Sequence, residues 1–157
     1  MEKDLLILEN DKNYARQRIA ELDAQIIALG PEFYDVFNQT SETWHDNAPF
    51  EVLRDRQALM AAERDNLKSI LRNCLPSIPK QKRGVVGIGT KVTARNKTND
   101  KVMTYFIAGD WTANAGQVVD EAIIVSRRSP IALKLIGKKC NDEILHNDLL
   151  VIESLDQ

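Results

Sequence analysis

Within SETWHDNAPF, residues 41–50, two acids, Glu42 and Asp46, flank a tryptophan and a histidine, Trp44 and His45. Long apolar-periodic segments lie on both sides, where a helical hairpin needs only a small polar turn. Asp46 and Asn47 suit the cap of the following helix, because a short side-chain oxygen there accepts from the free N–H groups of the first turn. On that bland reading Glu42 is a solvated loop acid. Trp44 is harder to dismiss. The end of a narrow hairpin offers little core, so the indole either tucks against Phe37 and Phe50 or is offered to a partner. A second constellation is basic: Arg64, Lys68 and Arg72 fall four apart on one helical face, with Asp55, Glu63 and Asp65 nearby as ion-pair partners.

Other chemistries find no support. No Ser-His-Asp, Cys-His or metal-ligand spacing occurs within either expected domain, which argues against a self-contained enzyme. Cys74, Cys140, His45 and His146 contain no short-spaced pair, so zinc is not expected and both cysteines are expected as free thiols. The glycines of Gly84-x-x-Gly87-x-Gly89 precede a strand pattern rather than a helix, which favours a bend or bulge over a nucleotide loop. No run of about 18 apolar residues is present and the chain starts Met-Glu-Lys-Asp, so we expect no membrane association and a cytoplasmic location. The net charge of −2 over 157 residues hides an acidic first half and a basic second half, a balance that does not suggest a general nucleic-acid binder.

Two helices must position the 41–50 stretch. After Ala15, apolar residues recur at Ile19, Leu22, Ile26, Leu29 and Phe33, alternating spacings of four and three that make a coiled-coil seam. Gly30-Pro31 interrupts it, predicting a kink or restart. The second helix starts near Asp46 or Asn47, tolerates Pro49 in its first turn, and runs to about Asn73 with Leu53, Met60, Leu67 and Cys74 seven apart. Two such helices joined by a short turn lie antiparallel, and a lone hairpin of this kind is marginal unless something anchors its base.

Residues 76–83, with two prolines and a basic cluster, are expected to be a linker. Beyond Gly84 the pattern turns to period two with β-branched residues, predicting strands at 85–95, 102–108, 122–126, 143–146 and 149–155, with turns at Thr98-Asn99-Asp100 and Asn141-Asp142. Inside this region Ser129 (N-cap), Pro130 (N1) and Gly137 (past the end) bracket a short helix. The expected fold class is α+β: an antiparallel coiled-coil hairpin over 1–75 with its tip at about 39–47, then a small domain over 84–157 in which one short helix covers an antiparallel sheet.

The run Ser129-Pro130-Ile131-Ala132-Leu133-Lys134-Leu135-Ile136-Gly137-Lys138, with Asn141-Asp142 after it, resembles the Ser-Pro-Ile-Ala-x-x-Leu-Ile-Gly-Lys and later Gly-Asp of the Gre family of bacterial transcription elongation factors, Asn standing for that Gly. Gly87 to Thr93 is similar to the opening strand of the same domain, and Asp46-Asn47-Ala48-Pro49-Phe50 resembles part of the family's Asp-Leu-x-Glu-Asn-Ala-x-Tyr. Here Asp46 replaces the Glu, and Thr43 stands where the family has its first Asp. The resemblance implies an FKBP-like second domain and a hairpin that enters the secondary channel of RNA polymerase. It implies that tip acids, Asp46 first and Glu42 second, reach the catalytic Mg²⁺ so that the polymerase cleaves backtracked RNA. It also implies partner contacts at Trp44, His45, Asn47, Ser129, Pro130 and Ile131, and a nascent RNA 3′ segment near Arg64, Lys68 and Arg72. The free protein is expected to be a monomer with no cofactor or metal of its own, sharing Mg²⁺ with RNA polymerase.

Thr43 favours a rival reading, a non-cleaving regulator or inhibitor in the same channel. A prolyl isomerase is disfavoured because the second domain has only Tyr105, Phe106 and Trp111 to wall a pocket. A coiled-coil interaction module unconnected with transcription is the remaining alternative.

Overall fold

The computed structural model describes residues 3–40 and 48–157. Its elements are α1 (Glu9–Thr40), α2 (Ala48–Asn73), β1 (Lys91–Asn96), β2 (Val102–Ala108), β3 (Val118–Val119), β4 (Ala122–Ser126), α3 (Pro130–Leu135), β5 (Glu143–His146) and β6 (Asp148–Asp156). The chain divides into a helical unit, Lys12–Asn73, and a globular unit that joins Cys74–Gln157 with the segment ending at Asp11. That segment was expected to lie wholly in the hairpin. It sides with the globular unit because Leu5 bridges Cys74 in parallel and accepts the Leu75 N–H at 2.8 Å.

In the helical unit Ala15, Leu22 and Leu29 on α1 and Leu53, Met60 and Leu67 on α2 are buried, each set seven apart. A seven-residue apolar repeat keeps one seam facing the partner helix. The direction of pairing is fixed at the flanks, where low numbers meet high ones: Arg18 with Glu63 at 2.7 Å, Asp23 with Arg64 at 3.2 Å, Glu32 with Arg56 at 3.7 Å. Phe33 and Phe50 meet edge to face with centroids 5.6 Å apart. The break expected at Gly30-Pro31 does not end α1, which continues through Pro31. The proline removes the bond that would reach the Ile27 carbonyl, and this lies at an outward position where water can serve it.

The globular unit is one six-stranded sheet in the order β3-β4-β2-β1-β6-β5. It is mixed rather than wholly antiparallel, since β2 and β4 run parallel. Burial alternates along the strands, with Val92 and Ala94, Tyr105 and Ile107, and Leu150 and Ile152 turned to one face. There they pack with Ile131, Ala132 and Leu135 of α3. The first strand begins at Lys91 rather than residue 85. Gly84 and Gly89 take left-handed φ of 73° and 85°, and Val86 pairs instead with the chain after α3 through Lys138 O and Gly137 N, each at 2.9 Å. The 76–83 stretch is not a free linker: the Gln157 amide donates to Lys82 O and Val85 O and accepts from Gly84 N–H.

The seam assignment predicts that Leu22→Ala costs about 2–5 kcal/mol in urea unfolding followed by helical circular dichroism. Ile27→Ala, on the same helix but outward, should cost less than about 0.5 kcal/mol. Equal costs would mean that the buried stripe has been misplaced.

Candidate functional site

The best-built feature of the globular unit is the approach to α3, and it centres on Asp110. The Asp110 side chain is 1% exposed, and its Oδ1 accepts from Arg127 Nε at 2.5 Å and Arg128 Nε at 2.6 Å. Its Oδ2 accepts the backbone N–H of Leu6 at 2.7 Å, while the Asp110 N–H donates to Leu6 O at 2.6 Å. Such close passage requires Gly109, where a Cβ would stand 2.1 Å from Leu6 O. Burial pushes the Asp110 carboxyl up, but the Leu6 N–H and then the two guanidinium groups outweigh it, holding the group below the usual carboxylate value. Nearby, Asp11 accepts from Thr112 Oγ1 at 2.9 Å and from Ala113 N–H at 3.4 Å. Burial dominates there and raises its pKa despite both bonds.

From this anchor the chain turns into the Ser129 motif. Ser126 Oγ donates to Gly109 O, Ser129 N–H donates to Ser126 O at 2.9 Å, and Ser129 Oγ accepts from Ala132 N–H at 3.3 Å. Ser129 is therefore the N-cap and Pro130 the first helical residue, as the sequence predicts. Of the three motif residues expected to meet a partner, Pro130 is exposed and Ser129 half-buried, whereas Ile131 is 7% exposed and belongs to the core. Helix geometry sets this division: Ile131, Ala132 and Leu135 form the inward face, so Leu133 and Ile136 are turned out. Asn141, at the family's Gly, adopts φ 70°, a conformation Asn tolerates better than most side chains.

Glu42, Trp44, His45, Asp46 and Asn47, like Thr43, lie outside the described residues. What the structure describes is the hairpin just before and after them. There Tyr34 and Phe37 on α1 and Val52 on α2 are exposed large apolar residues, as are Ile27 and Leu59 midway along the two helices. Of the basic face, Arg64 donates to Asp65 at 3.0 Å and to Asp23 at 3.2 Å, and these bonds, in that order, raise its pKa. Lys68 and Arg72 are exposed, so the three residues expected to act together are divided between an ion-pair network and open surface. Among the described residues no three His, Cys, Asp or Glu side chains gather to hold a metal ion. Among them, too, no helix is long and apolar enough to cross a membrane.

A two-helix seam and a mixed sheet covered by one short helix define an α+β chain of two units. Residues 80–147 match the family model described as "Transcription elongation factor, GreA/GreB, C-term". Similar relatives include the transcription elongation factors GreA of Pseudomonas aeruginosa, 33% identical over 108 residues (64% of this chain, 61% of that protein), and of Orientia tsutsugamushi, 31% identical over 100 residues (63% and 60%). The chain thus spans about 60% of the length of these relatives. Among solved structures, GreA factor homolog 1 (Gfh1) of Thermus thermophilus aligns over 100% of both chains at 18% identity and a TM-score of 0.41. Residues 80–147, within the globular unit, are thus similar to the C-terminal domain of GreA/GreB factors.

The Asp110 anchor predicts that Asp110→Asn lowers stability at pH 7 by about 2 kcal/mol, the worth of charged hydrogen bonds lost. Because the folded carboxyl titrates below its unfolded value of about 3.9, its contribution is full above that pH and fades as pH falls through the folded value. Melting curves of the two proteins should therefore converge in acid, and a constant gap from pH 7 to pH 2 would refute the charge-based account.

Proposed function

We propose that this chain is an accessory factor of bacterial RNA polymerase that inserts its helical hairpin into the secondary channel and acts on stalled or backtracked elongation complexes. In this reading Asp46 and Glu42 add carboxylate oxygens beside the polymerase's catalytic Mg²⁺, and the polymerase cleaves its own transcript. The factor has no reaction cycle of its own. Mg²⁺ prefers hard oxygen ligands and, when bound, supplies charge stabilisation and an activated water. The chain's part is to bring acids to that place on a stiff support, α2 alone being 26 residues or roughly 39 Å long.

The observation that carries the reading is the surface of the hairpin near residues 41–47. Tyr34, Phe37 and Val52 are each 65–69% exposed, and Ile27 and Leu59, midway along α1 and α2, are 76% and 73% exposed. Nearer Lys12, the outward large apolar residue is Tyr14. A helical pair that works in water needs charge at such positions, whereas exposed apolar groups on both helices suit an element enclosed by a protein channel. In this reading the exposed Lys68 and Arg72 meet phosphates of the extruded RNA 3′ segment, while Arg64 braces α2 against α1.

A second reading, that the factor occupies the channel without stimulating cleavage, is favoured by Thr43, a neutral side chain where the family carries Asp. One assay separates the two. Backtracked bacterial polymerase with a labelled transcript is followed with and without the protein. The first reading expects cleavage to accelerate at least about tenfold, and Asp46→Ala to abolish the gain while leaving polymerase binding intact. Unchanged or slowed cleavage by a protein that still binds would establish the second reading, and failure to bind polymerase would remove both.

A further inference from the structure

We propose that the globular unit holds a binding site for a small organic cation, a primary ammonium group on a compact apolar body, in a cavity on the sheet face opposite α3, with Asp11 as its counter-charge. The site is independent of the polymerase reading above. The cavity has a volume of about 310 Å³, within the range of small-molecule sites. Its floor follows from strand pairing. Lys91, Phe106 and Ile124 stand side by side on β1, β2 and β4. Because side chains alternate, they project away from the face that Val92, Tyr105 and Ile107 turn to α3. Leu8 and Asp11 from the start of the chain and Thr112 from the loop before β3 are among the residues that complete the lining.

Asp11 gives the cavity its chemistry. The residue is 7% exposed, and its Oδ1 takes both of its hydrogen bonds, from Thr112 Oγ1 and Ala113 N–H. Among the described residues no donor meets Oδ2. No fully buried side-chain oxygen among them lacks a partner, so Oδ2 is open to the cavity that Asp11 lines. The cavity's lysine does not neutralise it, because Lys91 Nζ donates to the Asp120 carbonyl at 3.1 Å. Burial raises the Asp11 carboxyl in spite of its two bonds, as expected of an acid without a counter-charge. With Asp11 and Asp120 against Lys91, the lining carries a surplus of negative charge, which draws in a cation and repels an anion. Water alone can serve Oδ2, but it leaves Phe106 and Leu8 wet. An ammonium group on an apolar body meets both needs, donating a charged hydrogen bond to Oδ2 and covering the floor.

The test titrates isotope-labelled full-length protein with benzylamine, benzyl alcohol and phenylacetate while its amide resonances are followed by NMR. Benzylamine should shift the amides of Thr112, Ala113 and Ile124 saturably, with a Kd of about 1 mM. Benzyl alcohol and phenylacetate, neutral and anionic, should bind at least about tenfold more weakly. Asp11→Asn keeps an oxygen for Thr112 and Ala113 but loses the charge, and it should weaken benzylamine binding at least about tenfold, with a thermal melt to confirm folding. Val119→Arg leaves every buried group in place, since Val119 lines the cavity from an exposed position, and its guanidinium should compete with the ligand and weaken benzylamine at least about fivefold. No saturable shift at these amides, equal binding of benzyl alcohol and benzylamine, or undiminished binding by either folded variant overturns the assignment.

Discussion

The buried carboxylate of Asp110 is the constraint on which the globular unit depends. It gathers three donors from two distant parts of the chain, Leu6 near one end and Arg127 and Arg128 just before α3. A carboxylate with 1% exposure is tolerable only because charged and backbone donors replace its water. The same bonds leave little freedom to the turn that sets up the Ser129 cap, so the docking of a terminal segment and the placement of α3 are one event. Asp11 pulls the other way. Its burial costs more than Thr112 and Ala113 return, so its folded form gains relative stability as protons bind, whereas Asp110 loses it.

The helical unit is held by a different balance. Its stability resides in the buried Leu and Met seam, each fully buried leucine being worth about 1.5–3 kcal/mol. The ion pairs at its flanks are exposed, and their role is to fix direction and register more than to stabilise. With the seam sufficient, the outer faces are free to serve other ends, and on the side of residues 41–47 they set exposed Tyr34, Phe37 and Val52 among exposed charges such as Glu32, Arg54 and Arg56.

Much of this fold was legible in the residues because local and tertiary preferences agree there. The seven-residue spacing of Leu53, Met60 and Leu67 becomes a buried stripe, and strands at Val102–Ala108, Ala122–Ser126 and Glu143–His146 begin and end where period-two patterning does. Legibility failed where long-range contact overrules local signal. Nothing in Leu5 to Leu8 distinguishes a segment held by Asp110 from the start of an amphipathic helix, since the partner lies 104 residues away. The short β3–β4 hairpin was hidden for a local reason: Asp120 and Glu121 both take positive φ, 48° and 65°, and Glu is an unexpected residue for that turn. For the tip acids, the residue types themselves are the legible part, because their chemistry is read without knowing their placement.

The six residues of α3 show how one motif divides its duties. Ile131, Ala132 and Leu135 are fixed by the need to cover the sheet, so their side chains have no free surface to offer. Leu133 and Lys134 face outward, where core packing sets no requirement. Lys134 covers the Leu145 carbonyl at the sheet's edge. Leu133 is 66% exposed, so of these two neighbours it is the one whose residue type the packing of the unit constrains least.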